Sequence, residues 1–144
     1  MKIIEYKECH RDDLIFMILQ AKDALGRKPG LNEDLLDIQK NYLEKNGKFW
    51  LIVNENNRVL ASLGLLWNGR EAHLHRFFVK ASYQRQGLGG MLFQYAEKYM
   101  RAKGVKSCSI HLGTPLNDWI ASYHFYRKNG FVTVGNHGMV KYYE

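Results

Sequence analysis

At 144 residues the chain fits one domain covering positions 1–144, because independently folding units usually run to about 100–150 residues. With 46% hydrophobic residues, 13% aromatic and two prolines, it can bury a core and does not have the composition of a disordered chain. The net charge of +7, from 21 Lys and Arg against 14 Asp and Glu, points to an anionic partner; nucleic acid, an acidic surface and a phosphate-bearing ligand all fit it.

No apolar run approaches the roughly 20 residues that span a bilayer, and Glu5 falls where a signal peptide needs apolar residues. Neither membrane insertion nor export is expected. Cys9 and Cys108 lack Cys-x-x-Cys spacing, which agrees with a reducing cytoplasm and predicts two small core residues.

The chain opens on a strand-like Ile3-Ile4-Glu5-Tyr6. Leu14, Met17, Ile18, Ala21 and Leu25 then recur at helical spacing behind Asp12-Asp13, and Gly26 with Pro29-Gly30 ends this first helix. Asn32 is placed to cap a second helix carrying Leu35, Ile38, Tyr42 and Leu43, which stops near Asn46-Gly47. From Phe49 the period changes: 49–53, 59–67 and 72–79 are β-rich runs that predict three antiparallel strands, with Asn68-Gly69 as a two-residue hairpin turn. A polar loop, Lys80 to Gln86, leads into a long helix marked by Leu88, Met91, Leu92, Tyr95, Ala96 and Tyr99 and closed by Gly104. A strand over 106–112, a helix over 119–129 and two last strands over 131–134 and 139–143 complete the order β-α-α-β-β-β-α-β-α-β-β. Strands 72–79 and 106–112 flank a crossover helix, so they are predicted to be parallel neighbours. The fold class is therefore α/β, a mixed, mostly antiparallel sheet flanked by helices.

The most informative segment runs from Val79 through Gln84-Arg85-Gln86-Gly87-Leu88-Gly89-Gly90. A strand, a loop and a glycine-rich helix start form an anion site: the first helical N–H groups have no intrahelical partner, and glycine lets a phosphate approach the main chain. Gln84 and Arg85 add side-chain donors. The dinucleotide-binding pattern and the P-loop are both missing here. A glycine-rich helix start without a ligand is the bland alternative.

Gln84-x-x-Gly87-x-Gly89, preceded by Phe77-Phe78-Val79, resembles the acyl-CoA motif of the GNAT superfamily of N-acetyltransferases, Gln/Arg-x-x-Gly-x-Gly/Ala. Phe125-Tyr126-Arg127-Lys128-Asn129-Gly130-Phe131 resembles that family's Tyr-x-x-x-Gly-Phe segment, and the order of elements agrees over essentially the whole chain. The resemblance implies a GNAT-like acyl-CoA N-acyltransferase fold that uses acetyl-CoA as co-substrate and an amine as acceptor, with no metal. It assigns Gln84, Arg85, Gln86, Gly87, Leu88, Gly89 and Gly90 to the CoA pyrophosphate, and Phe77, Phe78 and Val79 to pairing with the pantetheine. Where the family often carries Asn and Ala, seven and four residues before the tyrosine, this chain has Trp119 and Ser122; Asn117, close by, is the candidate for the Asn contact to the cofactor. A homodimer is common in the family.

By the same resemblance Tyr126 protonates the departing thiolate, for which a phenol beside the sulfur is suited; the alternative is a core tyrosine. Simple alternation puts His73 and His75 on one strand face with Phe77 and Val79. His73 falls where several family members carry a glutamate base, and an imidazole titrating near neutrality is chemically suited to take the amine proton, directly or through water. Glu71 and His75 are alternative bases. His73, His75, Cys108 and His111 follow no known zinc spacing. Lys98, Arg101, Lys103 and Lys106 read as a solvated helix end rather than a nucleic-acid patch. The rivals to an N-acetyltransferase are a catalytically dead acyl-CoA-binding module and a basic nucleic-acid-binding protein.

Overall fold

The computed structural model describes residues 1–26, 30–112 and 119–143. Seven strands, β1 (Lys2–Glu5), β2 (Lys48–Val53), β3 (Val59–Asn68), β4 (Glu71–Val79), β5 (Ser107–His111), β6 (Val132–Val134) and β7 (Gly138–Tyr142), form one sheet in the order β1-β2-β3-β4-β5-β7-β6. Only β4 and β5 are parallel, joined by the crossover helix α3 (Leu88–Ala102), as the sequence predicts.

Both faces of the sheet are buried, which is why β2 reads as the continuous apolar run Phe49-Trp50-Leu51-Ile52-Val53. Its residues alternate between two cores. Trp50 and Ile52 join Leu92, Phe93 and Met100 of α3. Phe49, Leu51 and Val53 join Leu14, Met17 and Ile18 of helix α1 (Arg11–Ala24) on the other face. Helix α4 (Ile120–Lys128) lies on the first face, contributing Tyr126, with Tyr123 and Phe125 packed against the same core. Asp13 anchors the start of α1 by accepting from Arg58 and from the backbone N–H of Val59.

Four local expectations need correction. The second helix is broken: a 3-10 turn over Glu33–Asp37 precedes a short α2 (Ile38–Asn41), because Asp37 leaves the helical region and its carboxylate caps the Lys40 N–H. Asn32 caps nothing; its Oδ1 accepts from Lys22 Nζ at 2.6 Å. The β3–β4 hairpin pairs Asn68 with Glu71, so the turn residues are Gly69-Arg70 and only Gly69 (φ 62) is left-handed. Cys9 is exposed, whereas Cys108 lies in the core as expected. Among the described residues no helix is long and apolar enough to cross a membrane.

Candidate active site

The site starts from a defect in the β3–β4 ladder. Ser62 pairs with Phe78 but Gly64 pairs with His75, so Arg76 and Phe77 oppose the single residue Leu63. This is a β-bulge. Arg76 carries the distortion, with φ at 54, in a region that costs a bulky side chain on the order of 1 kcal/mol.

The bulge overturns the simple alternation along β4. Ala72 and Leu74 belong to the α3-side core, and so do Phe77 and Val79 after the extra residue. His75 instead meets the ring of Tyr42, and Phe78 packs against the α1-side core. His73 and His75 therefore do not share a face with Phe77 and Val79.

The same stretch of β4 also loses its other neighbour. β5 pairs only with Glu71, Ala72 and His73, through Ser107, Cys108 and Ser109, after which the two strands part. Between them opens a cleft of about 410 Å³. His73, His75, Phe77 and Phe78 line it from β4, Ser109 and His111 from β5, and Ser122 and Tyr126 from α4. Because the cleft interrupts the sheet, side chains from both faces reach it. It thus reunites the histidines with Phe77 in spite of the bulge.

His73 is exposed and its Nδ1 lies 2.5 Å from Ser109 Oγ. The Ser109 hydroxyl also lies 3.5 Å from the Ala72 carbonyl. If it donates there, it accepts the Nδ1 proton of His73 and leaves Nε2 as the free base. His75 is half-buried, and burial, reinforced by the charges of Arg76 and His73, pushes its pKa down. Glu71 is exposed at the hairpin end of β4 and does not line the cleft.

Tyr126 is 7% exposed, with ring centroids 5.1 Å from Phe131 and 6.3 Å from Phe77. Burial, with the Cys108 thiol adding to it, drives its pKa above the ordinary phenol value. The hydroxyl is protonated at neutral pH, as an ordinary phenol also is. Cys108, pushed up to about 12 by burial first and Glu97 second, is a protonated core thiol. It alternates in facing with His111 along β5, so the two do not form a common metal-ligating face.

At one end of the cleft β4 runs into the glycine-rich turn. Arg85 (φ 63) and Gly87 (φ 80) are both left-handed, and Gly87 caps α3 without any side-chain hydrogen bond. The first helical bond runs from Met91 N–H to the Gly87 carbonyl, so the amides of Leu88, Gly89 and Gly90 precede the ladder. The first turn carries no acidic residue to compete for them. A Cβ at Gly90 would meet nothing within 4 Å, and one at Gly89 would touch Phe77 at 3.8 Å and Val79 at 3.7 Å. The helix start and the cleft are thus contiguous through Phe77. The Gln84 amide donates to the Val79 carbonyl at 2.9 Å and braces the turn; Arg85 and Gln86 are exposed. Asn117 lies outside the described residues.

Two groups escaped the sequence reading. Ser109 becomes visible beside His73 only once the β4–β5 register is known. Arg76 is tied to Asp34 by Nε and Nη2 at 2.9–3.2 Å, and Asp34 also accepts from Tyr42 Oη at 2.5 Å. Burial pushes the Asp34 carboxyl up, but those hydrogen bonds outweigh it and hold it below the usual carboxylate range. No local sequence pattern announces this contact.

The profile of the acetyltransferase (GNAT) family matches residues 15–131, well over half of the chain. The chain belongs to that family. Its fold is similar to a GNAT-family acetyltransferase from Staphylococcus aureus Mu50, with TM-score 0.86 and 22% identity over 99% of each chain. An acetyltransferase from Streptococcus agalactiae gives TM-score 0.83 at 23% identity over 99% of this chain and 98% of that one. The PaiA N-acetyltransferase from Thermoplasma acidophilum, solved in complex with coenzyme A, gives TM-score 0.76 at 22% identity over 99% and 100%. No curated protein matches by sequence.

Proposed function

We propose that the chain transfers the acetyl group of acetyl-CoA to a primary amine by direct attack within a ternary complex. The observation that carries this reading is the contiguity of three features: an uncapped glycine-rich helix start, a β4 edge released from β5, and a tyrosine in the cleft wall. Coenzyme A bound to a structural neighbour and to an aminoglycoside 6'-N-acetyltransferase of the same fold supports acetyl-CoA as the donor.

In this reading the turn from Gln84 to Gly90 binds the pyrophosphate, mainly through main-chain N–H groups, with Arg85 supplying charge. The exposed edge of Phe77, Phe78 and Val79 aligns the pantetheine arm as an added strand would be aligned, and its N–H groups polarise the thioester carbonyl. His73, oriented by Ser109, takes a proton from the substrate ammonium through Nε2 and leaves a neutral amine to attack; His75 lines the same cleft. The amine nitrogen bonds to the carbonyl carbon, the carbon–sulfur bond breaks, and the sulfur takes the proton of the Tyr126 hydroxyl; the second proton that the nitrogen must lose passes to solvent, and solvent restores the phenol. Positioning two reactants in one cleft supplies most of the acceleration.

A panel of amines incubated with acetyl-CoA, followed by release of free thiol, tests the reading. Thiol release matched by acetylated product supports it. Acetyl-CoA binding with no acceptor anywhere in a panel of amino acids, peptides, polyamines and aminoglycosides would leave the chain a binding module.

A further inference from the structure

We infer that Asp34 is a positioning residue for acetyl transfer, acting at a distance by clamping the β4 bulge through Arg76; the inference rests on the acetyltransferase reading above. Among the described residues, four non-glycine residues have positive φ: Asn46, Asn57, Arg76 and Arg85. Three lie in turns or loops, and two of those are asparagines, which tolerate this region. Arg76 alone sits inside a strand. An arginine there needs to be held from outside.

The holding contacts come from both ends of the residue. Its guanidinium makes three hydrogen bonds of 2.9–3.2 Å to the Asp34 carboxylate. Its carbonyl accepts from the fully buried Ser62 hydroxyl at 2.7 Å. Asp34 is itself fixed, since Tyr42 donates to its carboxylate and Asn41 Nδ2 to its carbonyl at 3.0 Å. Tyr42 is buried against Phe49 and meets His75 ring to ring. The network thus runs from the bulge to one of the cleft histidines.

The ion pair is too exposed to be a strong source of global stability, with about a third of the Arg76 side chain and a quarter of Asp34 accessible. Its effect is local. A bulge reverses the facing of every side chain after it, because strand residues alternate with period two. Relaxing it would withdraw Phe77 and Val79 from α3 and shift the edge that aligns the thioester relative to His73 and His75.

Glycine supplies the test, since it adopts positive φ without the Cβ clash. Asp34→Ala is expected to lower kcat on the order of 10–100-fold, the scale of a small misplacement of reacting groups, while the melting shift given by acetyl-CoA persists. Arg76→Ala should behave likewise. The double variant Asp34→Ala/Arg76→Gly should recover most of the lost kcat, because the bulge then needs no clamp. Amide hydrogen exchange over residues 76–79 should rise in Asp34→Ala and return toward wild type in the double variant. Wild-type kcat and exchange in Asp34→Ala, or a double variant no better than the single one, overturns the proposal. If alanine at position 34 prevents folding, Asp34→Asn replaces it with the same expectations. The exchange arm reads the clamp without turnover, so a wild-type protein that acetylates no amine would refute the acetyltransferase reading and still leave the clamp decided.

Discussion

Replacing Tyr126 by phenylalanine separates catalysis from packing. The ring contributes the contacts to Phe77, Phe125 and Phe131, at centroid distances of 6.3, 5.5 and 5.1 Å, and phenylalanine retains all of them. The hydroxyl makes no hydrogen bond among the described residues, and Tyr126 lines the cleft. Its removal severs no protein contact, so stability should stay within about 1 kcal/mol of wild type. Turnover should fall on the order of 10–1000-fold, equivalent to about 1.4–4 kcal/mol of lost transition-state stabilisation, with water partly replacing the acid. Because the glycine-rich turn is untouched, the loss should appear in kcat and leave acetyl-CoA affinity unchanged. Calorimetric melting with and without acetyl-CoA, beside steady-state thiol release, measures all three quantities. Wild-type kcat in Tyr126→Phe would make the residue a packing tyrosine and return the leaving-group proton to solvent.

Acetyl-CoA should raise the melting temperature by linkage, and Gly89→Glu should abolish the shift by placing a carboxylate at an anion-binding helix start; Gly89→Ala, whose methyl meets only ordinary contacts at 3.7–3.9 Å, should fold as well as wild type. His73→Ala should cost roughly 10–100-fold in kcat/KM at neutral pH, with the loss shrinking at high pH where free amine accumulates; if His75→Ala reproduces this and His73→Ala does not, His75 is the base. His75 has a lowered folded pKa, so the unfolded chain binds its proton more readily and stability should decline as pH falls below about 6.5; acid melting of His75→Asn should show a shallower decline. Tyr6, Tyr42, Tyr126 and Tyr143 all have raised folded pKa values, so stability should be intact below about pH 10 and lost as pH rises beyond it. An alkaline titration of the melting temperature in Tyr126→Phe should be less steep than in wild type.

What the sequence made legible was local. The continuous apolar run of β2, the apolar stripe of α3 and the glycine-rich turn each follow from a few consecutive residues, and the order of the elements was enough to predict the parallel β4–β5 neighbours. The candidate site was legible at the turn and at Tyr126 for the same reason. His73, His75, Phe77 and Phe78 do meet at one cleft, but the bulge gives the histidines a different facing from the one that alternation predicts. The broken second helix failed because Asp37 competes for the Lys40 amide, a choice between capping and continuing that apolar spacing does not register. The hairpin turn slipped by one residue because a ten-residue strand, Val59–Asn68, holds Asn68 in the ladder.

The bulge was illegible for a deeper reason. Sequence signals for a bulge are glycines and turn-forming residues, and His75-Arg76-Phe77-Phe78 contains neither. The distortion is imposed by partners 42 residues away, at Asp34, and 14 away, at Ser62. A strand that bends for lack of side chains bends wherever the chain is weak, whereas one held bent by an arginine clamp bends at a fixed place. That place lies between the histidines and the edge of Phe77, Phe78 and Val79, where the strand has already parted from β5. The clamp from Asp34, 42 residues away in sequence, would therefore set the geometry of the candidate reaction, and substitutions around Tyr42 and Asp34 should lower turnover more than acetyl-CoA affinity.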